Sequence, residues 1–184
     1  MSATPSKMLP LGTPAPDFAL PEVASGRLVR PSDFSAAQPL LVMFVCRHCP
    51  FVVHVQQELA RLGRDYQGRV GMAAISANDA EAYPDDAPAS LAAMVAEQGF
   101  VFPLLYDESQ AAARAYGAAC TPDFFLFDTS RRLAYRGQLD DSRPGNGRPV
   151  TGHDLRAALD ALLAGQAVSP EQRPSLGCNI KWKG

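Results

Sequence analysis

Two cysteines separated by two residues, Cys46 and Cys49, stand where the pattern of the chain changes. Before them runs "PLLVMFV" (39–45), an unbroken apolar stretch. After them come Pro50 and then Phe51, Val52, Val55, Leu59 and Leu62 at helical spacing, as far as Gly63. A buried strand therefore gives way to a helix at the pair. Thiols at this spacing can close into a disulfide and reopen, and the thiolate is the form that attacks. A helix N-terminus offers unpaired N–H groups and the positive end of the helix dipole, both of which favour an anion. With Arg47 and His48 tuning it, Cys46 is expected to be the acidified, attacking thiol, below the free value of about 8.5. Cys49 is expected to be the more sheltered, resolving thiol. Pro50 fits only the first helical turn, which locates the helix start independently.

Metal binding is the rival chemistry. Cys46 and Cys49 supply half of a tetrahedral site, with Cys120, Cys178 and His54 available to complete it. The plainest alternative is a structural pair. The cationic residues between the thiols and the strand-to-helix setting favour redox chemistry, so no metal ligand and no cofactor is assigned.

The 184 residues are 47% hydrophobic and 20% charged, an ordinary globular balance that excludes disorder, collagen and coiled coil. A net charge of -2 gives no electrostatic case for nucleic acid or an anionic membrane. No apolar run approaches the roughly 20 residues that span a bilayer. The opening "MSATPSKMLPLGTPAPDF" lacks a continuous apolar segment, so a secretory signal is not expected. A cytoplasmic location follows as the expectation, and four cysteines are too few for a disulfide scaffold.

The elements that must position the pair can be read in order. Residues 1–16 form an extended lead-in. Residues 17–34 read as a β-hairpin turning at Ser25-Gly26. "RVGMAAISAN" (69–78) is a second buried strand, followed by the acidic loop "DAEAYPDDAP". A helix (89–99), a strand at "FPLLYD", a helix at "ESQAAARAYG" and a hairpin of "DFFLFD" (123–128) with "RLAYRGQ" (132–138) come next. A last helix opens at Thr151 and ends at Gly165, leaving a Pro-rich tail, 166–184. This order predicts an α/β fold in one domain over 1–184: a mostly parallel sheet, helices on both faces and an antiparallel edge. Active groups of such sheets gather beyond the strands' carboxyl ends, so the acidic loop should share an edge with Cys46. Asp140, Asp141 and Arg143, in a Gly/Pro loop, are candidates to flank the site. His54 and His153 are assigned no chemistry, and Trp182 reads as a packing anchor.

"CRHCP" after a buried strand and Thr121-Pro122 before a later one resemble the thioredoxin fold, with a central mixed sheet and helices on both faces. "GTPAPDFALPEVASGRLVRPSDF" resembles the N-terminal hairpin of the alkyl hydroperoxide reductase/thiol-specific antioxidant branch, and "SANDAEAYPDD", "CTPDFFLFD", "YRGQLDDSRP" and "PSLGCNIKWK" resemble peroxiredoxin-like bacterial members (redoxins). The resemblance implies a cis Thr121-Pro122 bond lying against the cysteines and presenting the partner chain. It also implies that Cys120 approaches Cys46. Cys120 and Cys178 are then possible auxiliary thiols. Two departures stand out. With Cys49 aligned to the peroxide-attacking cysteine, Cys46 replaces its usual threonine and Val42 its usual proline, which argues against standard peroxidase chemistry. Against thioredoxin, Val45 replaces the tryptophan before the first cysteine, and the cationic dipeptide predicts a couple more oxidising than about −270 mV, towards about −120 mV.

The expectation is a thiol–disulfide oxidoreductase acting on a protein or low-molecular-weight thiol or disulfide, with neither nucleic acid nor membrane as partner. The alternatives are an atypical thiol peroxidase and a metal-binding module or metallochaperone.

Overall fold

The computed structural model describes residues 3–184; Met1 and Ser2, the start of the expected lead-in and of the 1–184 span, lie outside the described residues. β1 (Thr4–Pro5) precedes a hairpin of β2 (Leu20–Pro21) and β3 (Leu28–Val29), in which Leu20 lies opposite Val29. Then come β4 (Leu40–Phe44), α1 (Pro50–Tyr66), β5 (Gly71–Ser76), α2 (Pro88–Gln98) and β6 (Leu104–Tyr106). α3 (Ala111–Ala115), β7 (Cys120–Thr121), β8 (Asp123–Phe127), β9 (Leu133–Gly137), α4 (His153–Leu163) and β10 (Leu176–Asn179) complete the chain.

The main sheet has the order β6-β5-β4-β8-β9. β4 is parallel to β5 on one side and antiparallel to β8 on the other. β8–β9 is also antiparallel, so the sheet is mixed rather than mostly parallel. Strand alternation divides the core in two. Leu41, Met43, Phe124 and Leu126 face the apolar stripes of α1, α2 and α4, such as Val52, Leu59, Leu91 and Leu155. Leu40, Val42, Phe44, Phe125 and Phe127 face Tyr116, α3 and the hairpin residues Leu20 and Val29. Each fully buried aliphatic or aromatic side chain contributes about 1.5–3 kcal/mol by leaving water. With both faces covered, β4 is rigidly placed and its carboxyl end is a fixed platform.

α1 runs three residues past the expected stop at Gly63. That glycine packs inside the helix, where an added Cβ would lie 2.8 Å from the Phe102 ring. It serves a close approach rather than a helix end.

The tail forms a small second sheet, β1-β10-β7, in which Cys178 lies opposite Thr121 and Asn179 opposite Cys120. Gly177 makes the approach possible, since any Cβ there would overlap the Thr121 carbonyl oxygen. Because β8 runs antiparallel to β4, Asp123 sits opposite Phe44. That register carries Thr121 and Pro122 to the carboxyl end of β4, where the cysteines lie.

Candidate active site

Cys46 follows β4 and Cys49 is the N-cap of α1, with Pro50 in the first turn. The Cys49 carbonyl accepts the Val52 and Val53 N–H groups, which anchors the helix start at the second cysteine. All four cysteines are free thiols, and Cys46 and Cys49 are fully buried. The Thr121-Pro122 bond is cis. Thr121 touches both sulfurs: its hydroxyl lies 3.2 Å from Cys46 Sγ, and Cys49 Sγ donates to its carbonyl at 3.2 Å. The two thiols are near enough for the ionisation of each to depend on the other.

The electrostatics invert the sequence expectation. Cys46 is raised well above the usual thiol value, first by its hydrogen bond to Cys49, then by burial and by the Asp86 carboxylate. Cys49 is lowered, first by accepting from Cys46 and then, against the cost of burial, by Cys178, Thr121 and the Val52 N–H. The physical reason is where the helix begins. It begins at Cys49, whose sulfur has Cys178 and Thr121 beside it, whereas Cys46, three residues earlier, lies before the helix and faces Asp86. Nor do the assigned tuning residues lower Cys46. The Arg47 guanidinium turns to the Ser90 carbonyl and the Glu97 carboxylate, at 2.7 and 3.0 Å. His48 Nδ1 lies 2.6 Å from Asp86 Oδ2. Full burial also means that Cys46 is no more accessible than Cys49.

Asp86 is the site residue that sequence reasoning missed. It is fully buried and accepts the Arg47 N–H at 2.7 Å and the Asn78 amide at 2.8 Å. Tyr83, from the same loop, stacks on the His48 ring with centroids 5.6 Å apart and planes 8° from parallel. The acidic loop therefore shares the edge with Cys46, as its place after β5 suggests. Nothing in its spacing singles out Asp86 from Asp85.

The remaining candidates fall around this centre. Cys178 sits beside Cys49, and burial together with that contact raises its thiol. Cys120 is fully buried on β7, its sulfur 3.8 Å from the Pro122 carbonyl oxygen, and its thiol is raised by burial and then by Asp123. Asp123 is buried with one oxygen unpartnered, and burial pushes its carboxyl up to about 8. Asp140 accepts the Ser142, Thr151 and Gly152 N–H groups and so shapes the Gly/Pro loop. Arg143 bonds the Gln138 amide oxygen, and His54 bonds the Ser142 hydroxyl at 2.7 Å. Together with Phe51 and Pro122 they line a small cleft beside the cis bond. His153 pairs with Asp154, and Trp182 is held against Arg114 at the surface. Among the described residues, the group of three close metal-type donors is Cys46, His48 and Asp86; the set suggested by sequence, drawing on Cys120, Cys178 or His54, does not gather.

A mixed sheet with helices on both faces, a strand-to-helix turn at its centre and a cis-proline opposite that turn define a thioredoxin-like protein. The chain belongs to the AhpC/TSA family, whose model matches residues 11–136. Among solved structures, an uncharacterized conserved protein from Geobacillus kaustophilus is 55% identical with a TM-score of 0.97, covering 100% of this chain and 97% of that one. A hypothetical protein from Sinorhizobium meliloti is 50% identical with a TM-score of 0.96, covering 98% and 99%. A secreted Mycobacterium tuberculosis disulfide oxidoreductase shares the fold at 14% identity, with a TM-score of 0.62 over 79% of this chain and 96% of that one. No curated protein matches the sequence. Among the described residues, no helix is long and apolar enough to cross a membrane.

Proposed function

We propose that this protein is a thiol–disulfide oxidoreductase working through Cys46 and Cys49 on a protein or low-molecular-weight disulfide. The observation that carries this reading is the contact of both sulfurs with Thr121, beside the cis Pro122. Two thiols in mutual contact can pass electrons as a couple, and the backbone at the cis bond offers an extended partner chain somewhere to lie.

Cys49, at the helix N-cap, attacks one sulfur of the partner disulfide. A mixed disulfide forms and the first partner thiolate leaves. Cys46 gives its proton to solvent and attacks the Cys49 sulfur, releasing the second partner thiolate. The partner gains two electrons and the protein holds a Cys46–Cys49 disulfide, which an external thiol donor reduces. Because both sulfurs are covered in the reduced protein, the 46–49 turn must open when a partner docks.

The position of Cys49 also favours a second reading, thiol peroxidase. The thiol at the helix start is the one that resembles the peroxide-attacking position, and the chain belongs to the AhpC/TSA family. In that reaction Cys49 becomes a sulfenic acid, and Cys46 displaces water from it to give the same disulfide.

Alkylation and mass spectrometry across a glutathione redox series test both. A reversible Cys46–Cys49 bond with a defined midpoint potential supports the couple; if the two never pair, both readings fail. Peroxide consumption at a rate matching disulfide formation selects the second. We take the cytoplasm as the compartment, and trapping of all four thiols reduced in intact cells would support that.

A further inference from the structure

We propose that Cys46, His48 and Asp86 form a zinc site in the reduced protein. Their donor atoms, Sγ, an imidazole nitrogen and a carboxylate oxygen, all lie within 4.8 Å of one another. Zinc holds sulfur at about 2.3 Å and nitrogen or oxygen at about 2.0 Å, so its tetrahedral ligand atoms stand about 3.2–3.8 Å apart. Closing on the sulfur side, from within 4.8 Å, and opening of the 2.6 Å His48–Asp86 contact meet that geometry. Thiolate, neutral imidazole and carboxylate carry two negative charges, which cancel those of the ion. A thiolate and a carboxylate that repel one another without the ion attract it together.

Three features point to a ligand rather than to a plain ion pair. His48 Nδ1 is buried and makes no well-aligned hydrogen bond, close as Asp86 is. The carboxylate is held by two N–H donors, from Arg47 and Asn78, as the outer partners of a metal ligand usually hold it. Tyr83 stacks on the imidazole and fixes the ring plane, while the partly exposed edge of His48 gives an ion a way in. A water takes the fourth position. Binding releases the Cys46 thiol proton to solvent and changes no oxidation state. The site belongs to the reduced protein: an ion on the Cys46 thiolate and the Cys46–Cys49 disulfide exclude one another.

The test uses the full chain, reduced and stripped with a chelator. It is titrated with Co2+ by absorbance and with Zn2+ against a chromophoric chelator. One ion per chain is expected, with a thiolate-to-cobalt band in the near ultraviolet that Cys46→Ser removes. His48→Gln and Asp86→Asn should each weaken Zn2+ at least about tenfold, whereas His153→Gln leaves affinity unchanged. Since Asp86→Asn disturbs a buried network, His48→Gln, at a partly exposed ring, carries the decision if that variant misfolds. Absence of the cobalt band, or an affinity indifferent to His48→Gln but lost in Cys49→Ser, would overturn the site; the latter would mean chelation by the dithiol instead.

Discussion

Cys46 and Cys49 are three residues apart and equally buried, yet their surroundings come from different parts of the chain. Cys46 faces the acidic loop after β5, with Asp86, His48 and Tyr83 around it. Cys49 faces the start of α1 and the β7–β10 pairing, with the Val52 N–H and Cys178 beside it. One sulfur meets a carboxylate and the other meets a further thiol, Cys178. Within a dithiol pair, polarity is thus set by which neighbour each thiol meets, and not by which residues separate the two. The dipeptide Arg47-His48 supplies positive charge in the sequence, but Glu97 and Asp86 take it up.

The sharpest break would come from exchanging the thiols one at a time. Cys49→Ser should abolish disulfide turnover, by about 10³-fold or more, because the attacking group is lost. Cys46→Ser should instead accumulate a mixed disulfide through Cys49, seen as a mass adduct after reaction with a disulfide-containing model substrate. If Cys49→Ser is the variant that traps the adduct, Cys46 is the attacking thiol and Cys49 the resolving one.

Asp123 extends the contrast to a third sulfur, Cys120. Unlike Asp86, it has an oxygen with no partner, and its folded pKa of about 8 lies far above the unfolded value of about 3.8. Between roughly pH 4 and 8 the native state therefore binds more protons than the unfolded chain, so stability falls as pH rises. Asp123→Asn should remove this loss. Urea unfolding should show the variant's stability relative to the parent rising between pH 5 and pH 8.5 by as much as several kcal/mol, at about 1.4 kcal/mol per pKa unit. Parallel stability curves for variant and parent would show that Asp123 ionises normally.

A smaller effect is expected on the Cys49 side. Gly177→Ala places a methyl group against the Thr121 carbonyl, pushing β10 from β7 at a cost of about 1–3 kcal/mol. Thermal unfolding should register that loss, and the Cys46–Cys49 midpoint potential should shift with it. A stability loss with an unchanged potential would show that the tail supports the fold but not the couple. Arg47→Ala should do least. Its partly exposed pair with Glu97 is worth about 0–1 kcal/mol, and the redox midpoint should stay within error of the parent. A large shift would restore Arg47 as a tuning residue.

Much of the fold was legible because periodicity reports burial. "PLLVMFV" reads as a strand covered on both faces and is one, and the α1 stripe from Val52 to Leu62 is likewise buried. The sequence also brought Cys46, Cys49 and Thr121-Pro122 together, the last two residues through resemblance. The parts it did not show depend on long-range pairing. β7 and β10 are two and four residues long, too short for periodicity, and they exist because the tail crosses back over Thr121. The N-cap fell on Cys49 rather than nearer Cys46 because helix ends are set by which N–H groups find partners. Asp86 was invisible because a buried carboxylate and a solvated one are spelled alike.

That the tail pairs between β1 and β7 has a consequence for biosynthesis. The strand that borders Thr121 is formed by residues 176–179 of 184. A nascent chain threading out of the ribosome has already exposed both cysteines while this strand is still inside the exit tunnel. Each molecule therefore passes through a period in which its thiols are open to passing oxidants or thiols, and the cover over Cys49 closes only once residues 176–179 have emerged.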